Sequence, residues 1–380
     1  MDETTLDNLG AQFNEIIKGI EKNKNTKDSG KEIVLPYPFK RLAQVLPGIE
    51  KGQHICVTAG TGISKSKFTR FIYVYSVYEF YKNCPQCGIK PKVFLFLLED
   101  SWSKVLKNMI CYRLKSHFKM DIALKDLESK GRALSDKELE AVKSCEEYFK
   151  DMGEIVTIID YIHNPYGIYK EVRSYLEANG SMEYSERVDE AGKIIKIPKK
   201  YTPNDPESHV IVILDNLSNL TKEDQHKNTW EAMSEWTAKY ARRLLCKLFN
   251  CTVVTIQQQD LESQKLSFSM YQGEAIKAKV KPSVASLGDN KTVSRDYHLI
   301  FGLFSPERFN FEEDLGYDIT LLQNNYRNLS ILKSNESDVG YEIGLFFNGA
   351  SETFVELPHP RTQAKELNEF YDHIKVKLKR

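Results

Sequence analysis

Lys65 and Ser66 stand side by side, just after a small turn with two glycines, Ala59-Gly60-Thr61-Gly62. Unhindered backbone N–H groups, an ammonium and a hydroxyl are what a polyphosphate and its Mg2+ need. The amides wrap the phosphates, the ammonium reaches the β/γ end and the hydroxyl takes the metal. The spacing approximates G-x-x-x-x-G-K-[ST], with Ala59 at the first glycine position and Ser64 at the last. Ser64 is the weightier departure, because glycine there lets the backbone approach a phosphate without a Cβ in the way. The candidate cofactor-binding residues are thus Gly60, Thr61, Gly62, Ser64, Lys65 and Ser66; a plain polar turn is the competing reading.

Three more polar groups, Glu99, Asp215 and Gln257, each end an apolar run. Asp215 is suited to hold Mg2+ together with Ser66. Glu99 is suited to act as general base on an attacking water, and Gln257 to sense the γ-phosphate. One such residue alone more often caps a helix or faces solvent, but three in register behind a phosphate loop favour a site.

The elements that must carry these groups alternate in type. Ile55 to Val57 reads as a buried strand and Phe68 to Tyr81 as the helix after the loop. Val93 to Leu98, Ile155 to Ile159, Val210 to Leu214 and Thr252 to Ile256 read as further strands. Helices are predicted over Ser103–Lys119, Ser135–Lys150 (N-cap Ser135, with Glu138 three residues on), Tyr166–Ala178 and Thr229–Phe249. Later strands, near His298–Phe304, Asn328–Leu332 and Tyr341–Phe347, extend the sheet, some of them antiparallel. Repeated β-α-β units with buried strands predict an α/β fold with a doubly wound, mostly parallel sheet, whose strand C-termini converge on one crevice.

Residues 5 to about 22 carry Leu6, Leu9, Phe13, Ile16, Ile17 and Ile20, a helical stripe, and the charged run after them reads as a flexible linker. The stripe packs either on its own domain or on a neighbouring subunit. Residues 181–207, polar and broken by proline, read as a loop or small insertion, and 260–292 as a polar loop. Cys84 and Cys87 have metal-ligand spacing with no second pair, so two free thiols are expected, and His163 and His298 read as structural. The aromatics from Phe71 to Tyr81 read as core packing plus a subunit contact.

Lys+Arg and Asp+Glu are both 53, which argues against a globally basic nucleic-acid binder but leaves a local patch open. No apolar run approaches a membrane span and the N-terminus is acidic, so no membrane partner is expected. With seven cysteines, several of them in apolar runs, the composition suggests a reducing, cytoplasmic location.

Taken in order, several segments resemble the RecA-type core of DnaB-like hexameric replicative helicases. They are Tyr37–Gly52 ahead of the phosphate loop, VFLFLLEDSWSKVLKNMICYRL (Val93–Leu114), GRALSDKELEAV (Gly131–Val142) and EIVTIIDYIHNPYGIYKEVR (Glu154–Arg173). Then come HVIVILDNLSNL (His209–Leu220), CTVVTIQQQDLES (Cys251–Ser263), PSVASLGDNKTVSRDYHLI (Pro282–Ile300) and the closing LSILKSN and VGYEIGLFFNGASETFVEL. The resemblance covers about Tyr37 to Leu357 and rests on order and spacing, no single motif being diagnostic. It implies a RecA-like ATPase core over 34–357, with 1–33 as a subunit-docking helix and linker and 358–380 as a basic helical tail. It implies ATP and Mg2+ as cofactors, a homo-oligomer in the form of a hexameric ring, single-stranded DNA as substrate, and a primase or helicase loader as further partners. Glu99 would be the base, Asp215 the metal carboxylate, Gln257 the sensor, and Lys333 a lysine that reaches the neighbour's nucleotide. The family's arginine finger aligns with Asn335. DNA contact would fall on Lys265, Lys277, Lys279, Lys281 and Lys291, with Phe268 and Tyr271 for stacking. Against the motor stand two other readings: a degenerate nucleotide- or DNA-binding accessory module, for which Ala59, Ser64 and Asn335 speak, and a recombinase-like filament protein.

Overall fold

The computed structural model describes residues 3–188, 192, 194–259, 280–288 and 291–378. A helix, α1 (Glu3–Asp28), precedes the first strand, β1 (His54–Ala59). After the phosphate loop comes α2, continuous through Lys65–Arg70, Phe71–Tyr75 and Ser76–Asn83, then β2 (Lys90–Leu97) and α3 (Trp102–Ser116). Next are α4 (Asp136–Lys143), α5 (Glu146–Ile155), β3 (Val156–Ile159) and α6 (Pro165–Ala178). A hairpin, β4 (Gly180–Val188) and β5 (Ile194–Pro203), leads to β6 (Ser208–Asp215), α7 (Thr229–Glu235 and Trp236–Leu248) and β7 (Thr252–Gln258). The chain closes with β8 (Leu299–Phe304), the ribbon β9 (Glu313–Asp314) and β10 (Tyr317–Asp318), β11 (Tyr326–Ser334), β12 (Glu342–Asn348), β13 (Thr353–Glu356) and α8 (Ala364–Leu378).

Nine strands form one sheet in the order β13-β12-β11-β8-β1-β7-β6-β2-β3. The six from β8 to β3 are parallel; β11, β12 and β13 run antiparallel beyond β8, as the late strands predict. Strands β1, β6 and β7 are apolar along almost their whole length because helices cover both faces of the sheet. One core lies under α2, α3 and α5, and the other under α6 and α7. The aromatic run of α2 belongs to the first: Tyr73 and Tyr75 are fully buried, and Tyr75 stacks on Tyr112 at 4.0 Å. Helix α8 closes over Tyr317, Leu322 and Tyr326 with Leu367, Phe370 and Ile374.

Three sequence expectations change. The predicted linker after residue 22 is largely helix: α1 runs on to Asp28, helped by a Lys24–Asp28 pair, and ends only at Ser29-Gly30, where Gly30 takes φ 74°. The predicted helix over Ser135–Lys150 is two helices. The Ser135/Glu138 capping box forms, but Ser144 Oγ bonds back to the Ala141 carbonyl at the break. The proline-broken insertion is an antiparallel hairpin, with Pro198 opposite a register shift at Glu183/Tyr184, where a missing N–H is tolerated. All seven cysteines are unpaired, and no helix among the described residues is long and apolar enough to cross a membrane.

Candidate nucleotide site

The sheet places the C-terminal ends of β1, β2, β6 and β7 along one edge. A cavity of about 540 Å3 opens there, lined among others by Gly62, Lys65, Ser66, Glu99, Asn216 and Gln258. The loop leaves β1 through Gly62 at φ 70° and enters α2 through Ser64 at φ 76°. Ser64 thus takes the left-handed conformation that glycine adopts without cost, and its Cβ is carried at a strain of order 1–3 kcal/mol.

Lys65 is buried and its Nζ donates to the Gly60 carbonyl at 3.1 Å, so the ammonium sits folded against its own loop. Burial pulls its pKa down, while Asp215 and Glu99 act to hold it up. Ser66 Oγ donates to Asp215 Oδ1 at 2.9 Å. Asp215 is pushed up to about 6 by burial and further by Glu99, against the pull of Arg70 and of the Ser66 hydroxyl. A buried carboxylate with a raised pKa, touching a hydroxyl beside a lysine, is a hard-oxygen pair short of positive charge. It fits Mg2+, which takes one or two protein oxygens and completes its shell with phosphate and water.

Glu99 is exposed to the cavity, and its Oε2 accepts from Asn216 Nδ2 at 2.7 Å, which orients the carboxylate beside Asp215. Beneath the metal pair, Arg70 forks onto Glu352 (Nη2–Oε1 2.7 Å, Nε–Oε2 3.0 Å), and Tyr75 donates to the same carboxylate at 2.9 Å. Arg70 Nη1 makes no hydrogen bond and faces Asp215 Oδ2 from 3.7 Å. The far side of the loop is held by two arginines. Arg308 grips the Thr61 carbonyl and, at 2.8 Å, that of Gly62; Arg327 reaches Ile63 at 3.2 Å.

The structure therefore brings Lys65, Ser66, Glu99 and Asp215 together, and it moves the sensor. Gln257 does not face the cavity: it is buried, its Nε2 donates to the Gly288 carbonyl at 2.7 Å and its Oε1 accepts from Tyr297 at 3.2 Å. Strand alternation turns the next residue toward the loop, and Gln258 Nε2 donates to Thr61 Oγ1. Lys333 lies far from this cavity: its Nζ donates to the Ser294 and Tyr297 carbonyls at 2.9 and 2.6 Å, where β11 passes the start of β8. Lys281, predicted to contact DNA, is already neutralised by Glu342 at 2.9 Å and Asp314 at 3.2 Å, so its charge is not available to a phosphate backbone. Lys265, Lys277 and Lys279, with Phe268 and Tyr271, lie outside the described residues, as does the side chain of Lys291. Sequence reasoning also missed Arg70, Arg308 and Glu352. Glu352 alone left a signal, a carboxylate between apolar strands.

No protein-family model matches the chain, and no curated protein matches it in sequence. Solved structures do match in fold. The ATPase domain of a phage DnaB-like helicase is similar over 94% of this chain and 100% of its own, with a TM-score of 0.63 and 15% identity. A DnaB-like replicative helicase, solved in a study of its interactions with primase, is similar over 90% of this chain, with a TM-score of 0.62 and 14% identity. This chain spans 66% of that helicase's length. The nine-stranded, mostly parallel sheet is thus a RecA-like fold.

Proposed function

We propose that this chain is an ATP-hydrolysing, DnaB-like motor that assembles into a ring and moves on single-stranded DNA during replication. The observation that carries this reading is the convergence of Lys65, the Ser66–Asp215 pair and the Asn216-oriented Glu99 on one cavity at the strand C-termini. Lys65 and the loop amides hold the β/γ-phosphates. Ser66 and Asp215 hold Mg2+, which, when bound, neutralises charge on the phosphates. Glu99 takes a proton from the attacking water, and Gln258, bonded to Thr61, is the side chain placed to sense the terminal phosphate.

Assembly is supported at two places. In α1, Leu9, Phe13, Ile16 and Ile20 recur at helical spacing and are each about 60% exposed, a face suited to a second copy of the chain. Lys333 stands at the opposite sheet edge from its own phosphate loop, where it would serve a neighbour's nucleotide.

The accessory-module reading is favoured by one observation, the non-glycine Ser64 in the left-handed conformation. Steady-state ATP hydrolysis with and without single-stranded DNA, for the intact chain and for Lys65→Ala, separates the two. DNA-stimulated turnover that disappears in the variant supports the motor. Tight ATP binding with no turnover, indifferent to DNA, supports the accessory module.

A further inference from the structure

A second cavity, of about 580 Å3, lies at the other edge of the sheet. Gly52, Asn250 and His298, which line it, immediately precede or adjoin the starts of β1, β7 and β8, and Arg242, Arg243 and Lys247 of α7 complete its basic wall. Asp296 also lines it, but among the described residues none of these three cations has an ion-pair partner. A half-buried arginine beside two exposed cations, facing one acid, leaves an excess of positive charge in a concave site, the electrostatic form of a phosphate receptor.

One turn ties this wall to Lys333. Arg242 Nη1 donates to the Asp296 carbonyl at 2.9 Å, and Lys333 Nζ holds the carbonyls on either side, Ser294 and Tyr297. The next carbonyl, His298, accepts from the Asn335 backbone N–H at 3.2 Å. Residue 335, where the resemblance would place an arginine, therefore sits against the rim of a cavity that already holds two arginines supplied by another element. The combined field is felt locally: burial, then Arg242 and Lys333, hold the His298 imidazole below its ordinary value.

The cavity does not serve its own nucleotide site. Strand β1 separates the two, and its six residues at ~3.3 Å each span about 20 Å, beyond the reach of any side chain. A phosphate bound here belongs to another molecule. In a head-to-tail ring, one copy's strand C-termini face a different surface of the next copy, so a complementary pair of edges is what closure needs.

We infer that Arg242, oriented by the Asp296 carbonyl and flanked by Arg243, enters the nucleotide site of the neighbouring copy with Lys333 and takes the place of the arginine missing at position 335. This rests on the motor reading above. A guanidinium so placed stabilises charge on the transferring phosphoryl group, the role for which arginine's fork is suited.

The test uses full-length R242A/R243A and K65A, each alone and co-expressed under two tags so that only hybrid assemblies are purified. R242A/R243A is expected to assemble and to bind ATP within about threefold of wild type, because its own phosphate loop is intact. Its turnover should fall on the order of 10^3-fold, the scale of an arginine finger. Hybrids with K65A should recover turnover, because some interfaces pair an intact Lys65 with an intact Arg242. R242K/R243K keeps charge and stem but not the fork, and should lose turnover to an intermediate degree; it also substitutes for the alanine variant if that fails to fold. Wild-type turnover in R242A/R243A overturns the inference and leaves the motor standing. So does hybrid turnover no higher than that of the two variants alone, or a loss of DNA affinity with turnover unchanged, which would assign the cavity to nucleic-acid phosphates. A wild-type chain whose turnover is independent of assembly overturns the motor reading and this inference together.

Discussion

Asp215 is the residue at which charge and metal are most tightly linked. Its pKa is raised from 3.8 to about 6, so between those values the folded chain binds more protons than the unfolded one. Stability therefore falls as pH rises through that window, by about 3 kcal/mol for a shift of this size, and levels off above it. Asp215→Asn removes the ionisation. Its melting temperature at pH 7.5 in Mg2+-free buffer should exceed that of wild type, while Mg2+-dependent ATP binding by titration calorimetry is lost. A lower melting temperature would show that the Arg70–Asp215 attraction outweighs the burial. The two glutamines separate in the same way. Gln258→Ala should lower kcat ten- to a hundredfold at unchanged melting temperature. Gln257→Ala strands the Tyr297 hydroxyl and the Gly288 carbonyl and should cost about 1–3 kcal/mol in denaturant unfolding. The reverse pattern would return the sensor to Gln257.

At the scale of elements, the Arg70–Glu352 fork joins α2 to the turn between β12 and β13, directly under the metal pair. Both groups are fully buried, so Glu352→Ala leaves an uncompensated guanidinium and should destabilise the chain by about 3–5 kcal/mol. A loss under 1 kcal/mol in urea unfolding would mean that Asp215 or water takes over the charge. Lys281 makes the opposite case to its sequence reading. Because Asp314 and Glu342 hold it, Lys281→Ala should lower the melting temperature by a few degrees and leave single-stranded DNA affinity within twofold by fluorescence anisotropy. A tenfold drop in affinity at unchanged stability would restore it to the DNA surface.

For the whole molecule, the exposed face of α1 and the cationic cavity beyond β1 both look outward to another copy. Replacing Leu9, Phe13, Ile16 and Ile20 by serine should lower the oligomeric state in sedimentation velocity without moving the melting transition of the core. That is expected because these side chains are already about 60% exposed within one chain. An unchanged assembly would assign the stripe a different cover.

Much of the nucleotide site was legible in the residues because its signals are local. Lys65 and Ser66 follow a Gly-bearing turn, and Glu99 and Asp215 end apolar runs that only a doubly covered parallel sheet can bury. Parallel strands bring their C-termini to one edge, so the order of those runs was enough to assemble Lys65, Glu99 and Asp215. Three kinds of feature needed the tertiary structure. A strand buried on both faces shows no apolar-polar alternation, so nothing local says which of Gln257 and Gln258 faces the loop. Ion pairs between distant segments, Arg70 with Glu352 and Lys281 with Asp314, leave no mark on periodicity, because each partner reads by itself as an ordinary charged residue. The neighbourhood of Arg242 and Lys333 arises only when α7 and β11 pack around the same turn before β8. Local pattern decides what an element is; which side chains meet is decided by the sheet order and register that bring elements together.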